Sequence, residues 1–470
     1  MSDTEAQTKP HLGLVIVGHV DAGKSTTTGH LLFELGGLSN RELDKLKEEA
    51  KRLGKDSFSY AFFMDKQKDE RERGVTIACT TKEFFTDNYH YTIIDAPGHR
   101  DFIKNMISGA SQADAALLMV PAHKGGFETS IQKGNHKSGQ VQGQTRQHAK
   151  LCFLLGIENL VVGINKMDRA EYSEDRYNEI KTEVSSMLKS IGYKIKKIPF
   201  IPMSGLNGEN LTKKSENMKW YKGYEVPIRK GVKVKGHTLV DALNNVIQVP
   251  KRPDNVPLRM PVSNILKIPS VGNIITGRIE QGNLKPGDIV RFVPRNVTGK
   301  VFSIEMHHRS VQLAKAGDNI GMSIKNLPKE NMPQSGDIMV IDKDPHETNE
   351  QPRGVKSFQA QIFIQDHPGK LYSASGSGTN GFTPSVHVRT SKAPCRLVNI
   401  HWKMGKKTGG VKVEDAKYLE SGEQALVTME PTKPFYLDKY DNCKGLGRIA
   451  GMDSNTLILL GKVVDVKYQD

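Results

Sequence analysis

The most constraining feature of this sequence is the octet Gly18-His19-Val20-Asp21-Ala22-Gly23-Lys24-Ser25, which fits the pattern G-x-x-x-x-G-K-[ST]. An apolar run, Leu12 to Val17, precedes it, and a helix-compatible segment, Thr26 to Leu35, follows it. Strand, glycine-rich loop and helix in that order make a phosphate cradle. The glycines let the backbone bend sharply and bring its N–H groups onto phosphate oxygens with no Cβ in the way. The helix adds the positive end of its dipole. Lys24 supplies a cation for the β- and γ-phosphates, and Ser25 a hydroxyl for Mg²⁺. With glycine at about 7% of residues, the octet arises by accident in on the order of one chain in fifty of this length. The flanking strand and helix lower that chance further.

The rest of the chain fits around this start. At 470 residues it is too long for one core and suggests about three domains. Residues 12 to about 248 alternate apolar runs with amphipathic helices, which predicts an α/β domain: a mostly parallel sheet with helices on both faces. The expected strands are Leu12–Val17, Tyr91–Asp95, Ala115–Val120, Leu160–Ile164 and Ile198–Met203. Ser39 and Glu42 form a capping box for a helix ended by Gly54, with Leu43, Leu46, Ala50 and Leu53 as its apolar stripe. Ser173 to Ile191 reads as a second such helix, stopped by Gly192. The stretch from Lys124 to Gln144 has no periodicity and reads as a long surface loop.

Three prolines between Pro250 and Pro257 mark a linker. Beyond it, short β-rich runs are separated by glycine turns at 284–288, 316–319 and 335–337, which predicts an antiparallel barrel ending near Ile341. A second β-rich block runs from Phe358 to Lys467, with no obvious repeat of the first. The expected layout is thus 1–248, a nucleotide-binding domain, then two antiparallel β-barrels at 258–341 and 355–470.

Composition bounds the partners. Lysine and arginine exceed aspartate and glutamate by 67 to 52, a net charge of +15. That surplus suits a polyanionic partner such as nucleic acid and suits a basic solvated surface equally well. Four scattered cysteines give neither a disulfide framework nor a C-x-x-C metal site. The polar stretch before Leu12 has no leader-like apolar core, and no run of about 18 apolar residues occurs, so the expectation is a cytoplasmic protein without a membrane span.

Three further segments close expected strands, where open α/β sheets bind ligands. Asp95-Ala96-Pro97-Gly98-His99 places a carboxylate where it can hold Mg²⁺ through water and a Gly98 N–H near a γ-phosphate. In Asn165-Lys166-Met167-Asp168 the carboxylate can accept from the N1–H and 2-amino group of guanine. Adenine would present a lone pair there instead. Ser204-Gly205-Leu206 falls where a loop would cover the guanine O6. Together with Thr26 at the start of the helix, these predict a GTPase. Thr76, within Gly74-Val75-Thr76-Ile77, can place its hydroxyl on Mg²⁺ in the triphosphate state, although that tetrapeptide also reads as an ordinary strand start.

The segments GHVDAGKST, RERGVTI, DAPGHRDFIKNMISGASQAD and NKMD resemble the translational GTPases of the elongation factor one-alpha class, and the resemblance extends over all three expected domains. The insertion Ile131 to Gln144 and the ending from Met452 to Asp470 are most similar, within that class, to the eukaryotic elongation factor-like proteins. The Lys-rich tail of the standard factor has no counterpart here, so actin bundling and that factor's own exchange partner are not implied. The resemblance implies GTP, GDP and Mg²⁺ as ligands, a monomer, and aminoacyl-tRNA, the ribosome and an exchange factor of unknown identity as partners. It implies that the three domains close into a platform for aminoacyl-tRNA in the GTP state. It further implies that His99 orients the attacking water, that Val20 and Val75 gate it, and that Glu305, His307 and Asn319 line a pocket for the aminoacyl end of tRNA. A ribosome-rescue GTPase, a GTPase subunit of sulfate activation and a cytoskeleton-binding protein are the competing readings. Against them stand, in turn, a first strand starting by Leu12, the net charge, and an intact nucleotide motif without a basic tail.

Overall fold

The computed structural model describes residues 9–469 except 66, 74–75, 77–78, 100–101, 133–142, 230, 254, 269–271, 307–308, 329, 348–350, 366, 368, 379 and 455. The chain forms two compact units that meet between Pro250 and Lys251.

The first unit is built on a six-stranded sheet of β1 (His11–Gly18), β2 (Thr80–Phe85), β3 (His90–Asp95), β4 (Ala115–Pro121), β5 (Asn159–Asn165) and β6 (Phe200–Pro202). Its order is β2-β3-β1-β4-β5-β6, parallel throughout except for β2, which runs antiparallel along the edge. Every residue of β1, β3 and β4 is buried, as central strands covered on both faces require. Around the sheet lie α1 (Lys24–Glu34), α2 (Asn40–Arg52), α3 (Ile103–Ala110), α4 (Gln144–Leu154) and α5 (Glu174–Ile191). Leu12, Leu14 and Ile16 pack with Leu31 and Leu32 of α1 on one face, and the alternating Val15 and Val17 are equally buried on the other.

Helix α2 opens with the expected Ser39–Glu42 capping box. Leu53, assigned to its apolar stripe, is instead 41% exposed, because the helix ends at Arg52 and turns away through Gly54. The expected loop over 124–144 also needs correction: Gly126–Ile131 is helical, with Phe127, Ser130 and Ile131 buried and Glu128 accepting from the Gly125 N–H at 2.6 Å. Six residues are too few for a period of 3.6 to show. Two elements escaped the sequence reading for a related reason. Strand β2 is a half-exposed edge, and the hairpin Tyr224–Arg229 with Val232–Gly236 is short, with only Tyr224, Val226 and Gly236 buried.

The second unit holds two antiparallel barrels. In the first, β7 (Met260–Ile268), β8 (Gly272–Arg278), β9 (Ile289–Val293), β10 (Val297–Met306), β11 (Asn319–Lys325) and β12 (Ile338–Ile341) follow the order β9-β12-β7-β8-β11-β10 and close through β9–β10. In the second, β13 (Val355–Ile364), β14 (Ser385–Val388), β15 (Ser391–Met404), β16 (Gln424–Pro431), β17 (Arg448–Asp453) and β18 (Thr456–Tyr468) follow β14-β17-β18-β13-β16-β15 and close through β14–β15. The opening strand pairs with its successor in the first barrel and not in the second. That difference in connection accounts for the lack of a sequence repeat. The three Gly-Asp turns of the first barrel share one device. Asp288, Asp318 and Asp337 each accept from the backbone N–H three residues earlier, at 2.8, 2.9 and 2.8 Å, across a glycine with positive φ.

The barrels join through shared core and shared charge. Val293, Ile338 and Val340 of the first pack into the core of the second. Arg259, 4% exposed, donates to Glu347 at 2.7 Å and Asp438 at 3.2 Å, both buried. Asp438 also accepts from Tyr436, the Lys439 N–H and Asn442. Removing the guanidinium alone strands two buried carboxylates, so Arg259→Ala should lower the unfolding free energy of this unit by about 3–5 kcal/mol. Chemical denaturation followed by circular dichroism measures it. A loss under about 1 kcal/mol would mean that the junction admits water easily.

Candidate nucleotide-binding site

The C-terminal ends of β1, β3, β5 and β6 come out at one edge of the sheet, because their parallel register aligns Ile16 with Asp95, Pro121 with Asn165 and Ile164 with Pro202. The four segments singled out in the sequence leave from these ends. Gly18 and Gly23 have φ of 151° and 83°, and Asp21 sits in the left-handed region at 57°. A Cβ on Gly23 would strike the amide of Asn165, and one on Gly98 would strike the Lys24 ammonium. Glycine at these two positions is what allows the loops to close on each other.

Asn165, 2% exposed, ties the segments together. Its amide nitrogen donates to the Ala22 carbonyl at 2.8 Å and to Thr27 Oγ1 at 3.3 Å, and its oxygen accepts from the Gly205 N–H at 2.8 Å. The Ser204 hydroxyl donates to Asp168 Oδ1 at 2.6 Å, which aims that carboxylate. Met167 is buried beneath and donates its N–H to the Met203 carbonyl. Lys166 is held in the left-handed region at φ 61°, and Leu206 is 42% exposed at the outer lip.

At the other end, a cavity is lined by Val20, Asp21, Gly23, Lys24, Ser25, Thr26, Gly98 and His99, together with Phe58, Ala61, Asp65 and Thr76. Ala96 and Pro97 are buried behind it and His99 is half-buried at its rim. Lys24 Nζ donates to the His19 carbonyl at 2.9 Å. Burial lowers the Lys24 pKa, with Asp95 and Asp21 opposing, and burial together with Lys24 lowers that of His19.

The hydroxyls of Ser25 and Thr76 lie 3.0 Å apart. Thr76 donates to Asp65 Oδ1 at 2.9 Å, so its one proton is spent and Ser25 is the donor between them. Asp95 is fully buried and neither carboxylate oxygen completes a hydrogen bond among the described residues. The Ser25 hydroxyl stands near enough only to pull its pKa down, as does Lys24, while burial pushes it up to about 6. Burial and then Asp95 push Asp65 up to about 7. Two hydroxyls beside a buried carboxylate form an oxygen donor set that fits Mg²⁺.

Sequence reasoning missed three contributors. His148 and Gln144, on α4, accept from the Gly18 N–H at 3.2 Å and the Val20 N–H at 3.4 Å. Burial and then Lys24 push the His148 pKa down to about 3, so it remains a neutral acceptor. A histidine on an apolar helix face carries no signal that separates this role from core filling. Asp65 is the third, and only its place upstream of Thr76 hinted at it. Val75 and His307 lie outside the described residues. Glu305 is exposed near the end of β10, opposite Gly321. Asn319 begins the neighbouring β11, with a buried side-chain oxygen that has no hydrogen-bond partner among the described residues.

Asp65 and Asp95 hold their protons more tightly folded than unfolded, which sets the sign of a pH effect. Their contribution to stability is full below the ordinary carboxylate pKa near 4 and is lost as pH rises through about 6 and 7. The nucleotide-free protein should therefore melt at a lower temperature at pH 8 than at pH 5, and Asp65→Asn should flatten that slope. Added Mg²⁺ and GDP should raise the melting temperature more at pH 8 than at pH 5. An equal rise at both pH values would remove these carboxylates from the metal site.

Three family descriptions match the chain: the elongation factor Tu GTP binding domain over residues 9–249, elongation factor Tu domain 2 over 272–340, and the GTP-eEF1A C-terminal domain-like family over 357–464. Elongation factor 1-alpha of Hyperthermus butylicus is 44% identical over 465 residues, covering 98% of each chain. That of Aspergillus oryzae is 42% identical over 459 residues, covering 98% of this chain and 95% of its own. The GTPase-like domain of Ski7 from S. cerevisiae shares the fold at a TM-score of 0.75 with 19% identity, covering 99% of both chains. The chain belongs to the elongation factor Tu and 1-alpha family of translation elongation GTPases, which bind GTP or GDP with Mg²⁺ and hydrolyse GTP.

Proposed function

We propose that this protein carries aminoacyl-tRNA in its GTP state, delivers it to the ribosome and hydrolyses GTP there. The observation that supports the reading is the side chain of Asn165, which bonds the Ala22 carbonyl of the Gly18–Ser25 loop and the N–H of Gly205, next to the Ser204 that donates to Asp168. Gly18 to Thr26 would hold the phosphates, and Asn165 to Asp168 with Ser204 to Leu206 the guanine. Ser25, Thr76 and Asp95 would hold Mg²⁺ between them, directly or through water. When bound, the cation neutralises phosphate charge and fixes the orientation of the triphosphate. Asp95 would close the phosphate end with Ala96, Pro97 and Gly98. His99 at the cavity rim would position the attacking water, with Val20 and Val75 as an apolar gate before it. A neutral imidazole is a weak base toward water, so its contribution is orientation and charge stabilisation. In the first barrel, Glu305, His307 and Asn319 would receive the aminoacyl end, the buried side-chain oxygen of Asn319 having no hydrogen-bond partner among the described residues. We take residues 1–248, 258–341 and 355–470 as the three domains. A cytoplasmic monomer served by a separate exchange factor belongs to the same proposal and rests on family membership alone.

The deciding experiment is protection of aminoacyl-tRNA from spontaneous deacylation, expected with GTP and not with GDP; equal protection by both would overturn the proposal. Affinity for charged tRNA should fall steeply with salt because counterions are released. Asn319→Ala should weaken charged tRNA more than uncharged tRNA and leave the salt slope intact. Equal weakening of both would move Asn319 out of the aminoacyl pocket.

His99→Ala tests the chemistry separately. Nucleotide and tRNA affinity should stay near wild type, while ribosome-stimulated hydrolysis falls within the range of about 10³–10⁵ that single γ-phosphate-site groups supply. Single-turnover kinetics with an unchanged stimulated rate would assign positioning of the water elsewhere.

A further inference from the structure

Beside the base-facing loop, one histidine joins three elements. His30 projects from α1, 8% exposed, and its Nδ1 lies 2.8 Å from the carbonyl oxygen of Gly205. A carbonyl only accepts, so Nδ1 carries the proton. The N–H of the same Gly205 donates to Asn165 Oδ1, and the adjacent Ser204 hydroxyl donates to Asp168. Both backbone groups of Gly205 are therefore clamped, one by the base motif and one by His30.

The other face of this arrangement meets the segment that leads to Asp65. The His30 ring stacks on Tyr60 with centroids 4.1 Å apart and planes 7° from parallel. That stack depends on close backbone approach: a Cβ on Gly29 would collide with the Tyr60 carbonyl, and one on Gly208 would come within 3.0 Å of His30 Cε1. Tyr60 leads into the short helix Ala61–Met64, and the next residue is Asp65, which accepts from the Thr76 hydroxyl. A chain of direct contacts thus runs from Asp168 and Ser204 through Gly205, His30 and Tyr60 to the segment that carries Asp65. A histidine that merely fills core would need neither a fixed donor to a loop carbonyl nor a parallel ring partner on another element.

We propose that His30 is a positioning residue for guanine recognition, tying the Gly205 loop to the Tyr60–Asp65 segment so that the base end and the phosphate end of the pocket are mechanically linked. The proposal rests on the nucleotide-binding reading above. With Gly205 released, Ser204 shifts and the Asp168 carboxylate loses its aim at the guanine 2-amino group. With Tyr60 removed, the imidazole loses the surface that sets its plane, and the same loop loosens from the far side.

The test uses the full chain and compares binding and release of GDP and of IDP, which lacks the 2-amino group. His30→Phe keeps a ring for Tyr60 but loses the donor. It should release GDP about tenfold faster, the scale of one net hydrogen bond, and should lower the preference for GDP over IDP. His30→Asn keeps a donor at the δ position and should retain that preference. Tyr60→Leu should lower the preference and Tyr60→Phe should not. His30→Phe combined with Tyr60→Leu should lose no more than either alone, because both act through one contact. A wild-type preference in His30→Phe and Tyr60→Leu, or no recovery in His30→Asn, would overturn the link and leave His30 as core filling. If a Tyr60 variant melts below the assay temperature, the His30 pair still decides. Asp168→Asn separates the two readings. It should shift preference from guanine to xanthine nucleotides, and if it does not, the base assignment itself fails, independently of His30.

Discussion

The nucleotide pocket depends on a single buried amide. Asn165 stands at the end of β5, donates to the phosphate loop through Ala22, and accepts from the base-facing loop through Gly205. Only a side chain with a donor and an acceptor on one carbon can make both contacts. An aspartate of the same shape would press a carboxylate oxygen against the Ala22 carbonyl, and leucine would leave two buried backbone groups unpaired. The parallel register of the sheet brings the strand ends level, and this amide then locks the loops they emit. The site is accordingly an outcome of sheet register first and of loop sequence second.

The charges gathered at the phosphate end are unfavourable by themselves. Lys24 is buried and its ammonium is discouraged by that burial, while Asp95 and Asp65 are pushed toward their neutral forms. In the proposed reading such an arrangement would be completed by charged partners, a polyphosphate for Lys24 and a divalent cation for the carboxylates. The first N–H groups of the loop are treated differently. Gly18 and Val20 meet His148 and Gln144, neutral acceptors that shape the loop without adding charge. His148 can do this only because burial keeps it unprotonated at ordinary pH. A charged imidazolium there would repel Lys24.

Much of the α/β unit was legible because burial on both faces writes strands as continuous apolar runs, as in Ala115–Pro121, and because caps are local chemistry, as at Ser39 and Glu42. Strand β2 was illegible because an edge strand needs no apolar face, and the helix at Gly126–Ile131 because it is shorter than two turns. The pocket divides the same way. Gly18 to Ser25 and Asn165 to Asp168 are contiguous, and contiguous residues leave a pattern. His148, Asp65 and His30 enter from other elements, and their meaning lies in a distance across the fold that no spacing encodes. His30 illustrates the point: in the sequence it is one more polar residue in a helix that opens with a lysine, a serine and three threonines, and only the carbonyl of Gly205 and the ring of Tyr60 give it a task.

The barrel unit shows the converse, where composition misleads in a consistent direction. Residues 342–354 join the two barrels and are mostly polar, yet the Glu347 side chain within them is only 2% exposed and holds Arg259. The other half of this ion pair, Arg259, lies immediately before β7. Asp438 completes it from the second barrel, so three separate segments must be in place before any charge is compensated. A hydrophobic junction of similar area would tolerate small rotations of one barrel against the other. A guanidinium held by two carboxylates, one of them fixed in turn by Tyr436, Lys439 and Asn442, has one low-energy geometry. The same arrangement that adds little net stability over an apolar packing therefore sets the orientation of the two barrels. If the barrels carry aminoacyl-tRNA as proposed, a fixed orientation is the property on which that binding would depend.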